Sequence, residues 1–155
     1  MATGKARLPP RWFIVTAWHV HRLIVRASGA RRGLRRPRPG KYGTLRLTTT
    51  GRRSGEPRSV ILGYYEDGPN LVSMAMNGWG APEPAWWLNL RAHPEAVVEL
   101  VGAVRREVLG RAATADERER LWQSWREIDK NLDDWAARRP RDTAVVVLEP
   151  RTAAE

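Results

Sequence analysis

The 155-residue sequence contains no cysteine. Disulfide frameworks, thiolate metal sites and cysteine nucleophiles are therefore excluded, and a cytoplasmic setting is expected. Acidic residues are missing from positions 1–41, which carry eleven of the 27 Lys and Arg residues. The other sixteen bases stand against all seventeen acids. The formal charge of +10 thus belongs to a basic N-terminal arm, residues 1–41, on a nearly neutral body, residues 42–155. Such an arm favours anionic partners: nucleic acid, acidic lipid or the anionic tail of a cofactor. An uninterrupted apolar run is also lacking. The apolar stretch from Arg11 to Arg26 reads as a helix, but His19, His21, Arg22 and Arg26 break it, and a membrane span needs about 20 largely apolar residues. It also lacks the unbroken core and cleavage site of a signal peptide. It either covers one end of the body, which is the expected arrangement, or lies on a membrane surface with Trp12, Phe13 and Trp18 as anchors.

Several familiar chemistries have no signature. No Gly-x-Gly-x-x-Gly follows a strand, no Walker Gly-Lys-Ser/Thr is present, and no Gly-x-Ser-x-Gly elbow occurs. His19 and His21 point to different faces of a helix and His93 stands alone beside Pro94, so no metal site is expected. No recognition helix or base-stacking aromatic set accompanies the basic arm, so sequence-specific nucleic-acid binding is not expected. No carboxylate pair occupies a catalytic setting. An enzyme without these groups needs a cofactor that carries the reaction.

Two stretches could hold one. In Leu45–Arg58, a strand alternates Leu45, Leu47 and Thr49 against Arg46 and Thr48, then breaks into a turn with Gly51 and Gly55, and the cations Arg52, Arg53 and Arg58 sit in or beside it. The turn is either a basic hairpin tip in water or a cradle in which backbone N–H groups and guanidinium forks meet a phosphate or carboxylate. In Asn77–Pro94, Pro84 opens a short helix to Ala92 and Pro94 stops it. Its tryptophans, Trp86 and Trp87, either fill the core or flank a flat ligand, with Asn77 and Asn89 supplying amide hydrogen bonds.

The rest of the body alternates strands and helices. Ser28–Lys41 is broken by Gly and Pro, carries six cations and reads as a linker. Strands are expected over 59–65, 71–76, 95–101, 103–113 and 142–150, with a turn at Glu66–Asn70. Thr114 and Glu117 form a capping box. It opens a long helix whose stripe Leu121/Trp122, Trp125, Ile128, Leu132 and Trp135 is most simply a core face. Asp129, Asp133 and Asp134 are expected in water or paired with Arg138, Arg139 and Arg141. This order predicts an α+β fold: a small closed or split β-barrel with helices outside and across its ends.

Taken together, Thr49–Arg58, Asn77–Gly80, Pro84–Pro94 and Val145–Pro150 resemble the deazaflavin-dependent nitroreductase family of actinobacteria. The resemblance implies a flavin-reductase-like split β-barrel binding coenzyme F-420, an 8-hydroxy-5-deazaflavin with a phosphate and a polyglutamate tail; FMN is the alternative cofactor. By the same resemblance, Arg52, Arg53, Ser54, Gly55, Glu56 and Pro57, with Arg58 adjoining, line the phosphate and tail. Met74, Ala75, Met76 and Asn77 run beside the ring, and Ala85, Trp86, Trp87, Leu88 and Asn89 close its other side. Arg31 to Lys41 are further candidates for the tail. The implied reaction is hydride transfer from the reduced deazaflavin to a small planar electron acceptor, a quinone or nitroaromatic, with no conspicuous acid–base residue. The best-known branch lines its substrate pocket with tyrosines where this chain has Asp129, Leu132 and Trp135. Met76, Leu132 and Trp135 are accordingly the acceptor-pocket candidates, and a quinone or other bulky planar acceptor is at least as well matched as a nitro group. A flavin-binding protein without turnover, and a basic-armed nucleic-acid or membrane adaptor, are the competing readings. No oligomeric state is specified.

Overall fold

The computed structural model describes residues 12, 15–17, 19–20 and 33–152. Six strands close into an antiparallel barrel of order β1-β2-β3-β6-β5-β4. They are β1 (Gly43–Thr50), β2 (Pro57–Asp67), β3 (Asn70–Met74), β4 (Glu95–Leu100), β5 (Val104–Ala112) and β6 (Val145–Pro150). Helix α1 (Ala85–Ala92) joins β3 to β4, while α2 (Ala115–Ile128) and α3 (Leu132–Ala136) join β5 to β6. This is the split-barrel α+β architecture expected from the sequence.

Two apolar clusters explain the strand sequences. Leu45, Leu47, Leu62, Tyr64, Leu71, Val98, Val108, Val146 and Leu148 share one cluster with Trp86, Trp87 and Leu90 of α1. This is the barrel interior, and α1 stoppers it. The approach is close: a Cβ on Gly110 of β5 would lie 2.8 Å from Leu90 Cδ1. Tyr65, Val72, Met74, Val145 and Val147 form the second cluster with Leu121, Trp122 and Trp125 of α2 and Leu132 of α3. The near-continuous apolar run of β6 follows directly: alternate side chains fill the barrel and the layer beneath the helices, so neither face is wet.

Several local structures depart from expectation. The single long helix expected after Thr114 ends at Ile128. Asp129 takes extended backbone angles, its side chain accepts from the Asn131 N–H at 3.0 Å, and a separate short helix then begins at Leu132. Asp and Asn side chains compete for backbone groups and so interrupt helices. The capping box itself is present, with Thr114 accepting from Glu117 N–H and Glu117 accepting from Thr114 N–H.

The expected linker is also partly structured. Arg35 bridges Thr44, Arg38 bridges Lys41, and Leu34 is buried against Ile61. Residues 33–41 thus fold onto the start of β1. In the apolar N-terminal stretch, residues 12, 15–17 and 19–20 are helical and exposed, Trp12 at 69%. Phe13, Trp18 and residues 21–32 lie outside the described residues. Among those described, no helix is long and apolar enough to cross a membrane.

Candidate active site

A cavity of about 620 Å³ lies where the β1–β2 turn, the β3–α1 loop and α1 converge. Its cationic end is the turn Gly51–Glu56. Gly55 N–H donates to Gly51 O at 2.8 Å, Gly51 N–H donates to Glu56 O at 2.8 Å, and Glu56 N–H donates to Ser54 Oγ at 3.1 Å. Gly55 sits at φ +71°, a left-handed conformation costly for any residue with a Cβ.

The turn is anchored from behind by a buried side chain of α1. Asn89, 4% exposed, accepts through Oδ1 from the Arg52 backbone N–H (3.1 Å) and from Arg52 Nη1 (3.2 Å). Its Nδ2 donates to Thr49 Oγ1 at 3.1 Å, and the Thr49 hydroxyl donates to Arg58 O at 3.4 Å. The N–H groups of Arg53 and Ser54 meet no acceptor among the described residues, whereas those of Arg52, Gly55 and Glu56 are engaged. Arg52, Arg53 and Arg58 are exposed. The turn and the adjoining start of β2 therefore offer two backbone donors and three guanidinium groups on a fixed frame, a donor set that suits an anion.

From there the cavity runs along β2 past Val60, Ile61 and Leu62 to Gly63, with Met74, Met76, Asn77, Gly78, Ala85, Trp86 and Trp125 also on its walls. The walls become apolar away from the arginines. Val15 of the N-terminal stretch touches the same cavity.

The structure brings together most of the expected residues. Arg52, Arg53, Ser54, Arg58, Met74, Met76, Asn77, Ala85, Trp86 and Asn89 all line this one cavity. Gly55, Glu56, Pro57, Ala75, Trp87 and Leu88 do not; Gly55 to Pro57 shape the turn and its exit into β2, and Ala75 and Trp87 are core. The amides behave differently from expectation. Asn89 uses both ends of its amide inside the protein, and Asn77 Nδ2 donates to Pro82 O at 2.9 Å. Both residues line the cavity, but these hydrogen bonds hold the surrounding chain.

Leu132 and Trp135 sit away from the cavity. Leu132 is fully buried beneath β6, and Trp135 packs on Trp79 with ring centroids 6.0 Å apart. After the helix break at Asp129–Asn131, Leu132 enters the core layer and Trp135 stays half-buried against Trp79. Nor does the cationic segment Arg35–Lys41 reach the turn. It joins the Gly43 end of β1, some seven residues and so roughly 23 Å from the Thr50 end at 3.3 Å per residue.

Three residues near the cavity carried little sequence signal. Thr49 was legible only as an inward-facing polar residue in an otherwise apolar alternation. Trp125 belonged to the helix stripe, yet it also lines the cavity. Arg139 was legible only as a candidate partner for Asp129, Asp133 or Asp134. Its side chain is instead fully buried and donates to the Ala75, Gly80 and Pro82 carbonyls and to Thr143. Of the three aspartates, Asp133 accepts from the Trp122 indole N–H and from Arg126 Nε, which together hold its carboxyl below the usual range. Burial pushes the Tyr65 phenol up to about 12, so it stays protonated near neutral pH; it donates to Leu121 O and serves the helix–barrel contact.

Closed barrel, stoppering helix and cation-rimmed cavity define a flavin-reductase-like split β-barrel protein. Comparison with known proteins narrows this. The family model of the F420H(2)-dependent quinone reductases matches residues 18–150, and the chain belongs to that family of oxidoreductases. An F420H(2)-dependent quinone reductase of Mycobacterium tuberculosis (strain H37Rv) is 33% identical over 135 residues, covering 85% of this chain and 89% of the relative. Among solved structures, an F420-H2 dependent reductase superposes with TM-score 0.61 at 26% identity, covering 73% of this chain and 96% of its own. A domain-swapped dimer superposes with TM-score 0.63 at 25% identity, covering 87% and 99%.

Proposed function

We propose that this chain transfers hydride from a reduced 8-hydroxy-5-deazaflavin, coenzyme F-420, to a quinone. The observation that carries the reading is one continuous cavity with anion-binding groups at one end and apolar, aromatic walls at the other. Its volume of about 620 Å³ falls in the range of roughly 300–1,000 Å³ usual for cofactor and ligand pockets.

The residues present fit the cofactor. Arg53 and Arg58, with the N–H groups of Arg53 and Ser54, would hold its phosphate. Arg52, tied to Asn89, presents its remaining guanidinium donors from the same frame. Met74, Met76 and Trp86 would bound the ring. When bound, the reduced deazaflavin supplies the hydride. The protein's own contribution is orientation and exclusion of water, which can account for several kcal/mol of a barrier. The apolar wall of Val60, Ile61, Leu62 and Trp125 suits a flat, weakly polar acceptor. No general acid is assigned. The position of Arg35–Lys41 at the far end of β1 argues against their grasping the cofactor tail, and the FMN alternative gains no support from the relatives.

The test is a fluorescence titration with oxidised deazaflavin, with FMN in parallel, followed by quinone-dependent oxidation of the reduced cofactor under single-turnover conditions. Saturable deazaflavin binding, weakened roughly 10- to 100-fold in Arg53→Ala on the scale of a charge-assisted hydrogen bond, together with quinone turnover, supports the proposal. Binding without turnover on any quinone would leave a carrier function, and absence of binding would overturn the cofactor assignment.

A further inference from the structure

The β3–α1 loop that forms one lip of the cavity has an unusual backbone. Asn77, Gly78 and Trp79 have φ of 48°, 59° and 63°, three consecutive left-handed residues of which two carry side chains. Such a run is unfavourable for L-residues and persists where its surroundings over-determine it. Met76, Asn77 and Gly78 line the cavity, so the strained segment is the lip itself.

What holds it comes from the other end of the chain. Arg139 Nε donates to Gly80 O at 2.9 Å, Nη1 to Ala75 O at 3.1 Å, and Nη2 to Pro82 O at 3.3 Å. Nη1 also donates to Thr143 Oγ1 at 2.8 Å, and Nη2 lies 3.5 Å from Glu83 Oε1. Apart from Thr143, every one of these partners belongs to the segment 75–83. The guanidinium therefore grips the lip on both sides of its left-handed run. Trp79 is backed separately by Trp135. A planar fork can meet three divergent carbonyls at once, whereas an ammonium of similar reach cannot hold that geometry. Arg139 is itself absent from the cavity wall, so any effect on a ligand passes through the loop.

We propose that Arg139 is a positioning residue: it sets the place of the lip Met76–Gly78 and, through it, the affinity and orientation of whatever occupies the cavity. The ligand part of this proposal rests on the deazaflavin reading; the loop part does not.

The experiment uses the full chain, parent against Arg139→Lys and Arg139→Ala. The first readout is the indole NMR signal of Trp79, identified by its loss in Trp79→Phe, with the amide signals of residues 76–80. These should shift in Arg139→Ala. The second readout, taken well below each variant's melting temperature, is deazaflavin Kd and quinone kcat and KM. Kd should weaken at least tenfold in Arg139→Ala, with kcat falling at saturating cofactor and the quinone KM changing less. Arg139→Lys should recover melting temperature more fully than Kd. Thr143→Val, which removes one acceptor, should shift Trp79 and weaken Kd two- to fivefold, and it decides the matter if Arg139→Ala does not fold. Unmoved Trp79 and loop signals would overturn the proposal, as would constants within twofold of parent alongside a lowered melting temperature. Should the parent bind no deazaflavin, the cofactor reading fails while the Trp79 signals still decide the role of Arg139.

Discussion

Replacing Asn89 by leucine puts the anchoring of the cationic turn to the test. The side chain is 4% exposed and makes three hydrogen bonds, two from Arg52 and one to Thr49. Leucine has nearly the same volume, so little cavity opens. The loss is polar: the Arg52 backbone N–H and the Thr49 hydroxyl each lose a partner at a buried or half-buried site. Unmade hydrogen bonds at such sites cost about 1–3 kcal/mol each, partly offset where water reaches Arg52. A net destabilisation of about 2–3 kcal/mol is expected, lowering the melting temperature by roughly 4–12 °C for a domain of this size. Because the turn loses its hold on α1, deazaflavin Kd should weaken at least tenfold, about 1.4 kcal/mol. Asn89→Asp separates geometry from charge. Its carboxylate still accepts from Arg52, so the melting temperature should stay within a few degrees of parent. The new negative charge beside the anion end should nonetheless weaken binding, and the deficit should shrink as salt is raised. Calorimetry and fluorescence titration read both effects. An Asn89→Leu protein with parental melting temperature and parental Kd would refute the claim that this amide holds the turn.

Three further predictions concern the frame. Gly110→Ala brings a methyl group to within 2.8 Å of Leu90 Cδ1; overpacking of this kind costs about 1–3 kcal/mol, which denaturant unfolding would register. Thr114→Ala removes the side-chain half of the α2 cap and should cost about 0.5–2 kcal/mol, with deazaflavin Kd unchanged because the cap is remote from the cavity. On the acid side, the hydrogen bond from Arg111 holds the Glu117 carboxyl below its ordinary 4.5, and the Trp122 indole and Arg126 hold Asp133 below 3.8. Folded pKa values depressed in this way contribute stability above the unfolded values that is lost as pH falls through the folded ones. Melting temperature should therefore be level from neutral pH to about 5 and decline below about 4.5, less steeply in Glu117→Gln.

Much of this protein could be read along the chain because the relevant signals are local. Alternation placed β1 and β4, the Thr114–Glu117 box started α2, Pro84 and Pro94 bounded α1, and the glycine–arginine turn announced anion chemistry. These depend on side-chain period, backbone preference and residues a few positions apart, all of which a sequence displays directly. Joined to the tryptophan helix and the closing strand, they also specified the family. What could not be read was which polar groups meet across the barrel. Asn89 was legible as a cavity residue but not as the anchor of a turn 37 positions away. Leu132 and Trp135 stood at pocket positions, but the helix ends at Ile128, where the Asp129 side chain takes the Asn131 N–H, and Leu132 then enters the core while Trp135 packs on Trp79. Arg139 looked like any surface arginine beside aspartates. Its burial arises from chain closure, which carries the residues before β6 against the end of β3. There a charge removed from water must find every acceptor nearby, and the acceptors are backbone carbonyls that no residue letter records.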